Sequence, residues 1–307
     1  MVGSMSSSDP STDSRTRVSG DPNEGHSPAQ AAGPGLHIVS TPIGNLRDIT
    51  LRALDILSSV EEVLAEDTRV AAKLLNAHGI SAKLSAYHDH NGAARRPELL
   101  RRMEEGASIA LISDAGTPLV SDPGWKLVHE AAAAGIKIIP VPGASAMLAG
   151  LVTSGLPSDR FMFAGFLPPK SGARRKLAEE LINIPSTLIF YESGLRLPAT
   201  LSDLADIMGG DREVAVAREL TKLFEETRRG TLSELAAHYA ETGAPKGEIV
   251  LLIGPPRERA ASAEDIDAAL TDALGRLPVK AAANEIAETF GISKRDAYQR
   301  ALALKNG

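Results

Sequence analysis

The sequence predicts an α/β protein with a mainly parallel sheet in its first domain, a mixed sheet in its second domain and a small helical module after them. Residues 36–155 alternate short apolar runs with longer amphipathic stretches, which is typical of a parallel sheet covered on both faces. Residues 156–256 carry strand-like runs, several of them joined by connections too short for a helix. Residues 263–307 are helical in pattern, so the chain divides into three parts.

The apolar runs place the individual elements. In the first domain we expect strands near 36–40, 60–65, 84–87, 108–112 and 136–140. We expect helices near 50–58, 67–78, 94–105, 124–134 and 144–154. In the second domain we expect strands at 161–166, 186–191, 213–218, 225–229 and 247–253, ended by Pro255 and Pro256.

The helical module breaks near Gly275 and Gly291, which predicts three short helices. The last two, at 279–289 and 293–304, carry five basic residues around a turn: Lys280, Lys294, Arg295, Arg300 and Lys305. This is compatible with a helix-turn-helix-like nucleic-acid module. A small helical cap on the preceding domain is the alternative.

Composition limits the function classes. The chain has 307 residues with 43% hydrophobic and 23% charged side chains, which is ordinary for a soluble globular protein. It has no cysteine, which excludes disulfides and thiolate chemistry, and no secretory or membrane-length apolar run, so we expect a cytoplasmic protein. The net charge of −6 argues against indiscriminate coating of nucleic acid. Residues 1–35 are rich in Ser, Pro, Gly and Asp, and we expect a disordered tail.

Three loops of small residues follow predicted strands of the first domain. The most informative is 113–124, which contains two carboxylates, two prolines and glycines that let a ligand approach the backbone closely. Similar loops stand at 40–45 and 141–146. Parallel sheets bind ligands at the carboxyl ends of their strands, so these loops predict one ligand site.

Several other kinds of site lack support. The sequence has no G-x-G-x-x-G after the first strand and no P-loop motif, which disfavours hydride transfer and ATP hydrolysis. His88 and His90 are the only close histidine pair, and no third ligand is evident, so we expect no metal.

Eight segments together resemble the ribosomal small-subunit methyltransferase I family of the tetrapyrrole-methylase superfamily. They are STPIGNLRDI at 40–49, AEDTR at 65–69, YHDHN at 87–91, SDAGTP at 113–118, VPGAS at 141–145, FYES at 190–193, RELTK at 218–222 and PKGE at 245–248. They span about residues 36–256, and the third segment has Asp89 where the family usually has Glu.

The resemblance implies a two-domain tetrapyrrole-methylase-like fold with S-adenosylmethionine in the cleft between the domains, and a homodimer. It implies 2′-O-methylation of a cytidine ribose in the decoding region of 16S ribosomal RNA, and so a partner in the small ribosomal subunit. The rival functions are a methyltransferase of the same fold that acts on a tetrapyrrole or a protein, and a non-catalytic RNA-binding assembly factor.

If the cofactor is S-adenosylmethionine, as the resemblance implies, we expect its contacts to come from the three loops and from the second domain. From the loops these are Pro42, Ile43, Gly44, Asp114, Ala115, Gly116, Thr117, Pro118, Ser145 and Ala146, and from the second domain Tyr191, Leu220, Pro245, Lys246 and Gly247. For Asp114 a turn-capping role is the alternative, and for Tyr191 a place in the core.

A general base that takes the ribose proton would help the transfer. The candidates are Glu66, Asp67, His88, Glu192, Glu219 and Lys222. Each has a structural alternative: Asp67 can cap a helix, Glu219 can pair with a neighbouring cation, and His88 can be a loop residue.

RNA phosphates are held by Lys and Arg. The densest basic cluster is Lys170, Arg174, Arg175 and Lys176, at the start of a predicted helix. A solvated helix face is the alternative reading of this cluster.

Overall fold

The computed structural model describes residues 31–256 and 263–306. Most of the predicted disordered tail lies outside these residues. The chain divides into two units, Met1–Ala146 and Met147–Gly307. No helix within the described ranges is long and apolar enough to cross a membrane.

The first unit contains a fully parallel sheet of five strands in the order β3-β2-β4-β1-β5. The strands are β1 (Gly35–Val39), β2 (Glu62–Ala65), β3 (Leu84–Ala86), β4 (Ser108–Ile112) and β5 (Ile138–Val141). Because β1 lies between β4 and β5, the loops that follow these three strands leave neighbouring positions of one sheet edge.

Helices cover both faces of this sheet, as predicted. They are α1 (Leu51–Ser59), α2 (Thr68–Ala77), α3 (Asp89–Glu104) and α4 (Trp125–Ala133), with a short 3-10 turn at Leu46–Asp48. The helix α5 (Ala146–Ser154) follows β5 and, from Met147 onward, belongs to the second unit, where Gly150 lies against Val250 and Leu252. Val39, Val63 and Ile112 pack with α1 and α2, while their sequence neighbours Leu64 and Leu111 pack in a second cluster with α3 and α4. This alternation follows from the two-residue period of a strand.

One helix differs from its prediction. The sequence pattern places α3 near 94–105, but it begins at Asp89. The backbone N–H of His88 donates to Asn91 Oδ1 at 2.9 Å, which satisfies a group at the start of the helix. Gly92 and Pro97 lie inside α3, although both disfavour helix interiors.

The second unit contains a mixed sheet of five strands in the order β6-β7-β10-β8-β9. The strands are β6 (Phe161–Phe166), β7 (Thr187–Ser193), β8 (Glu213–Arg218), β9 (Glu226–Thr231) and β10 (Glu248–Ile253). Only β6 and β7 are parallel, and the other pairs are antiparallel. The predicted mixed sheet is therefore confirmed.

Three helices lie between these strands: α6 (Ser171–Leu181), α7 (Leu197–Met208) and α8 (Leu232–Thr242). Among the sheet connections only β8–β9 lacks a helix, so the expectation of several short connections is wrong. The helices bury Leu181, Leu201 and Leu235 against Phe190 and Leu251 of the sheet.

The C-terminal segment forms α9 (Ala263–Arg276), α10 (Val279–Phe290) and α11 (Lys294–Asn306). Leu270, Ile286, Ala297 and Ala301 lie in an apolar core that these helices share. Gly291 ends α10 with φ of +63°, a conformation that glycine adopts without strain. The predicted helical module is confirmed.

Candidate active site

The loops after β1, β4 and β5 meet at the carboxyl edge of the first sheet. Thr41 and Gly116 exchange backbone hydrogen bonds of 2.9 and 3.1 Å. The Ser40 hydroxyl donates to Thr117 Oγ1 at 3.2 Å, and the Thr117 hydroxyl donates to the Ala144 carbonyl at 3.2 Å. The three loops that the sequence singled out therefore form one connected cluster.

Two glycines make this close approach possible. Gly116 has φ of +83°, and a Cβ atom at this position would lie 3.3 Å from Ile43 Cγ2. A Cβ atom at Gly143 would lie 2.9 Å from the Cβ of Ser40. A larger residue at either position would push the loops apart.

Backbone strain is concentrated at two loops. Within the described residues, the non-glycine residues with positive φ are Leu119, Ser121, Glu219 and Thr221. The first two lie in the loop after β4, and the other two follow β8. Because such conformations cost of order 1–3 kcal/mol each and cluster at functional sites, both loops are candidates for ligand contact.

Three carboxylates lie in or near the loop after β4: Asp114, Asp122 and Glu66. Asp114 is exposed, and its Oδ1 accepts a hydrogen bond of 3.1 Å from the backbone N–H of Asp67. Partial burial, together with the charges of Glu66 and Asp114, raises the pKa of Asp122 to about 6. Asp122 was missing from the predicted site residues, although it is the second carboxylate of the 113–124 loop.

Asp67 has a structural role. It is the N-cap of α2, where its carboxylate accepts from the Arg69 N–H at 2.8 Å and pairs with the Arg69 guanidinium at 2.6 Å. Hydrogen bonds from Arg69 lower the pKa of Asp67 to about 2. A carboxylate with so low a pKa is a weak general base.

Three further base candidates are held in hydrogen bonds and ion pairs of the second unit. The buried Glu192 accepts from the Thr200 hydroxyl at 2.8 Å and lies 3.2 Å from the Arg196 guanidinium. Lys222 donates to Glu219 at 2.9 Å, and this bond is the main cause of the lowered pKa of Glu219. Burial alone would lower the pKa of Lys222, but its hydrogen bonds to Glu248 and Glu219 raise it, which disfavours a neutral amine base.

Glu66 and His88 are the remaining base candidates. Glu66 is exposed just after β2, and His88 is half-buried after β3, the neighbouring strand. The His88 and His90 rings lie 5.9 Å apart. Within the described part of the chain, no group of three or more His, Asp or Glu side chains could hold a metal ion.

The cofactor contacts predicted in the second unit also lie at one sheet edge. Tyr191 packs edge-on against Phe163 and Phe166, with ring centroids 4.8 and 5.5 Å apart. A Cβ atom at Gly194 would lie 1.8 Å from the Pro245 carbonyl oxygen, and one at Gly247 would lie 2.5 Å from the Glu219 carboxyl carbon. Glycine therefore allows the 245–247 turn to approach the ends of β7 and β8. Leu220 is buried in the loop that follows β8.

The basic cluster on α6 separates into two kinds of residue. Arg174 is only 4% exposed, and its guanidinium donates to Asp203 at 2.8 and 2.5 Å. Arg175 bridges Asp203 and Asp206 at 3.2 and 3.0 Å. Lys170 and Lys176 are exposed, so these two can reach a phosphate group without breaking an ion pair within α6 and α7.

Family models match both parts of the chain. The model of the tetrapyrrole (corrin/porphyrin) methylases matches residues 35–236. The model of the RsmI C-terminal HTH domain matches residues 260–305, which include α9, α10 and all but the last residue of α11.

Curated relatives match over nearly the whole length. The chain is 50% identical over 279 residues to the ribosomal RNA small subunit methyltransferase I of Mesorhizobium japonicum, covering 91% of this chain and 95% of that protein. It is 45% identical over 282 residues to the protein of the same name from Escherichia coli O157:H7, covering 90% and 98%.

Solved structures with low identity share the fold. A diphthine synthase superposes with a TM-score of 0.57 at 15% identity, covering 72% of this chain and 89% of that chain. The uroporphyrin-III-C-methyltransferase of Thermus thermophilus gives 0.51 at 22% identity, covering 71% and 93%. The sequence matches go further than the fold, and they show that this chain belongs to the ribosomal RNA small subunit methyltransferase I family of tetrapyrrole-methylase enzymes.

Proposed function

We propose that this protein transfers the methyl group of S-adenosylmethionine to the ribose 2′-hydroxyl of a cytidine in the decoding region of 16S ribosomal RNA. One observation supports the proposal most strongly. In a chain of this methyltransferase family, the loops after β1, β4 and β5 meet near the carboxylates of Glu66, Asp114 and Asp122. The enzyme acts in the cytoplasm on the small subunit, and the homodimer implied by the sequence resemblance is part of the proposal.

The loops of the first sheet fit the cofactor, which supplies a methyl group on a sulfonium cation. Small residues line these loops, and Ala115, Pro142 and Gly143 are exposed, so a ligand can approach the backbone there. Asp114 and Glu66 are exposed carboxylates that favour a nearby positive charge. Pro42 to Gly44 and Ala115 to Pro118 complete these predicted contacts. Tyr191, Leu220 and the 245–247 turn are predicted to add contacts from the second unit.

The ribose hydroxyl loses its proton as its oxygen forms the new bond to carbon. A base is most useful when its pKa is near the working pH. Asp122, with a pKa of about 6, fits this requirement better than Asp67 and Glu219, whose pKa values are lowered, and Lys222, whose pKa is raised. Glu192 is buried and held by Thr200 and Arg196. We propose Asp122 for proton transfer because it also lies in the 113–124 loop, which contacts both other loops, with Glu66 and His88 as the alternatives.

RNA contact in this proposal uses exposed cations. Lys170 and Lys176 provide charge at the start of α6, whereas Arg174 holds the helix in place through Asp203. A target that is presented on an assembled subunit requires few such contacts, which is consistent with a net charge of −6.

The test is incubation of the protein with methyl-labelled S-adenosylmethionine and undermethylated small subunits. We expect label in RNA, within an alkali-resistant dinucleotide, because a 2′-O-methyl group blocks hydrolysis of the adjacent phosphodiester. Label on a protein or a tetrapyrrole would assign another acceptor, and RNA binding without label would assign an assembly factor.

Asp114→Ala tests the cofactor assignment. We expect S-adenosylmethionine affinity to fall about tenfold in calorimetry, which is the size of one charge-assisted hydrogen bond. Asp159→Ala, another exposed loop aspartate, is the control and should bind normally. Unchanged affinity in a folded Asp114→Ala protein would contradict the assignment.

A further inference from the structure

A pocket lies in the second unit, where the loop end of the β8–β9 hairpin faces the last turn of α8. It has a volume of about 360 Å³. Residues 243–246, in the connection from α8 to β10, form its third side. Of its lining residues, Pro245 and Lys246 already have a predicted role as cofactor contacts, and the others have none.

The pocket is lined by a cluster of cations on one face of the hairpin. In the register of β8 and β9, Arg218 lies opposite Glu226 and Val216 lies opposite Arg228. Because side chains alternate along a strand, Arg218, Glu226 and Arg228 therefore point to the same face. Lys246 and His238 complete the basic lining.

A single carboxylate is shared by the two arginines. Arg218 donates to Glu226 at 3.0 Å and to the Lys246 carbonyl at 3.3 Å. Arg228 donates to the other oxygen of Glu226 at 2.8 Å. Each guanidinium has five N–H donors, so one carboxylate leaves much of their donor capacity for a further acceptor.

The hydrogen-bond donors of Arg228 are not all used by the protein. Its Nε atom is buried and has no hydrogen-bond partner among the described residues, while its side chain as a whole is 41% exposed. The buried Nε is closed to the pocket, but the exposed part of the side chain can donate to an acceptor there.

The charge balance favours an anion. Arg218, Arg228 and Lys246 carry three positive charges against the one negative charge of Glu226, a local excess of two in a chain whose net charge is −6. The carbonyl end of α8 opposes this with about half a negative charge. The excess therefore remains positive.

The walls fit a phosphate attached to a sugar. Gly243 and Ala244 leave space at the mouth, and the His238 and Tyr239 rings, 4.9 Å apart, form an aromatic side. The volume is in the range of small-ligand sites. We propose that this pocket binds a phosphodiester group of the RNA substrate, an inference that rests on the proposed function.

The experiment measures binding of the full chain to a labelled single-stranded oligoribonucleotide of mixed sequence over a range of salt concentrations. For Arg228→Gln we expect affinity to fall about fivefold and the salt slope to decrease by about 0.7 to 1, the value for one lost phosphate contact. Arg228→Lys should keep most of the salt slope, since it retains the charge.

Ala244→Glu tests the pocket without altering its cations. Ala244 is exposed, so the substitution should not affect folding, and the added carboxylate should repel phosphate and weaken RNA binding by at least as much. Ala132→Glu, at an exposed position on α4, makes the same charge change outside the pocket and should leave RNA affinity unchanged.

The outcomes separate this inference from the proposed function. Wild-type RNA affinity and salt slope in both Arg228→Gln and Ala244→Glu would overturn the pocket assignment, even if the wild type methylates subunits. Displacement of RNA by inorganic phosphate at equally low concentration would assign the pocket to free phosphate instead. Pocket-dependent RNA binding without methyl transfer would refute the proposed function alone.

Discussion

Thr41 and Gly116 form an isolated antiparallel bridge that joins the loop after β1 to the loop after β4. The Thr41 hydroxyl adds a bond of 3.1 Å to the Ser113 carbonyl, and the Ser113 hydroxyl donates to the Gly116 carbonyl at 2.9 Å. These bonds are buried, so they fix the relative position of the two loops. The shape of the candidate cofactor site therefore depends on a few backbone contacts.

Gly116→Ala should weaken both folding and cofactor binding. The new Cβ would be strained at φ of +83° and would lie 3.3 Å from Ile43 Cγ2. We expect a loss of about 1–2 kcal/mol of unfolding free energy, measured by denaturant titration, and weaker S-adenosylmethionine binding in calorimetry.

Gly135→Ala is the matched control for this substitution. Gly135 has φ of +73°, but a Cβ there meets nothing within 4 Å. It should lose stability through backbone strain alone and bind the cofactor normally. Equal cofactor affinity in the two variants would refute the role of the Gly116 contact.

Asp122→Asn should stabilise the protein at neutral pH. The folded pKa of about 6 lies above the ordinary value of 3.8, so ionisation costs stability. In the wild type this penalty is absent below pH 4, grows between pH 4 and pH 6, and is complete above pH 6. The variant should gain up to ~3 kcal/mol at pH 7, since one pKa unit corresponds to about 1.4 kcal/mol.

Denaturant titrations at pH 4, 5, 6 and 7 measure this difference. If Asp122 is also the base, the variant loses methyl transfer while it retains cofactor affinity. A stability difference that does not change with pH would show that the carboxyl group titrates normally.

The first sheet could be predicted from the sequence because each of its strands is a short apolar run followed by small residues. The prediction of one shared site rested on parallel strands, whose carboxyl ends lie at the same edge of the sheet. The observed strand order places β4, β1 and β5 side by side, so their three loops do meet. The start of α3 could not be predicted in this way, because Gly92 suggests a break and the Asn91 contact that secures the helix start is visible only in three dimensions.

The charged residues of the candidate site were harder to interpret. Arg174 is part of a basic cluster in the sequence, but its partner Asp203 lies 29 residues further along, on α7. Asp122 has a raised pKa because folding partly buries it and brings it near Glu66, which follows β2, and near Asp114 of its own loop. Sequence spacing shows neither relationship, since both depend on how helices and strands pack.

Glu62→Gln should destabilise the first unit strongly. Burial raises the pKa of this carboxyl group, but hydrogen bonds from Ser85, Arg102, Lys83 and Arg95 outweigh it and lower the pKa to about 2. Loss of the charge would leave three cations around a neutral amide. We expect a loss of about 3–5 kcal/mol at pH 7, the usual range for breaking a buried ion pair.

The pH dependence gives a second measure of the same group. In the wild type, the contribution of Glu62 is complete above pH 4.5 and is lost as the pH falls towards 2. Glu62→Gln should lack this loss, so the two stability curves should converge in acid. Glu61→Gln, whose side chain is 55% exposed and 3.7 Å from Arg102, is the control and should behave like the wild type.

Two substitutions on α6 should have different effects: Arg174→Gln should lower stability, and Lys176→Gln should weaken RNA binding. Arg174 is buried and bonded to Asp203, so its loss should cost about 3 kcal/mol of unfolding free energy. Lys176 is exposed, so its loss should leave stability within about 0.5 kcal/mol and reduce the salt slope of RNA binding by about one unit. Thermal unfolding and RNA titration measure the two effects. Normal RNA binding by Lys176→Gln would mean that α6 contacts no RNA through this residue, because the protein remains folded.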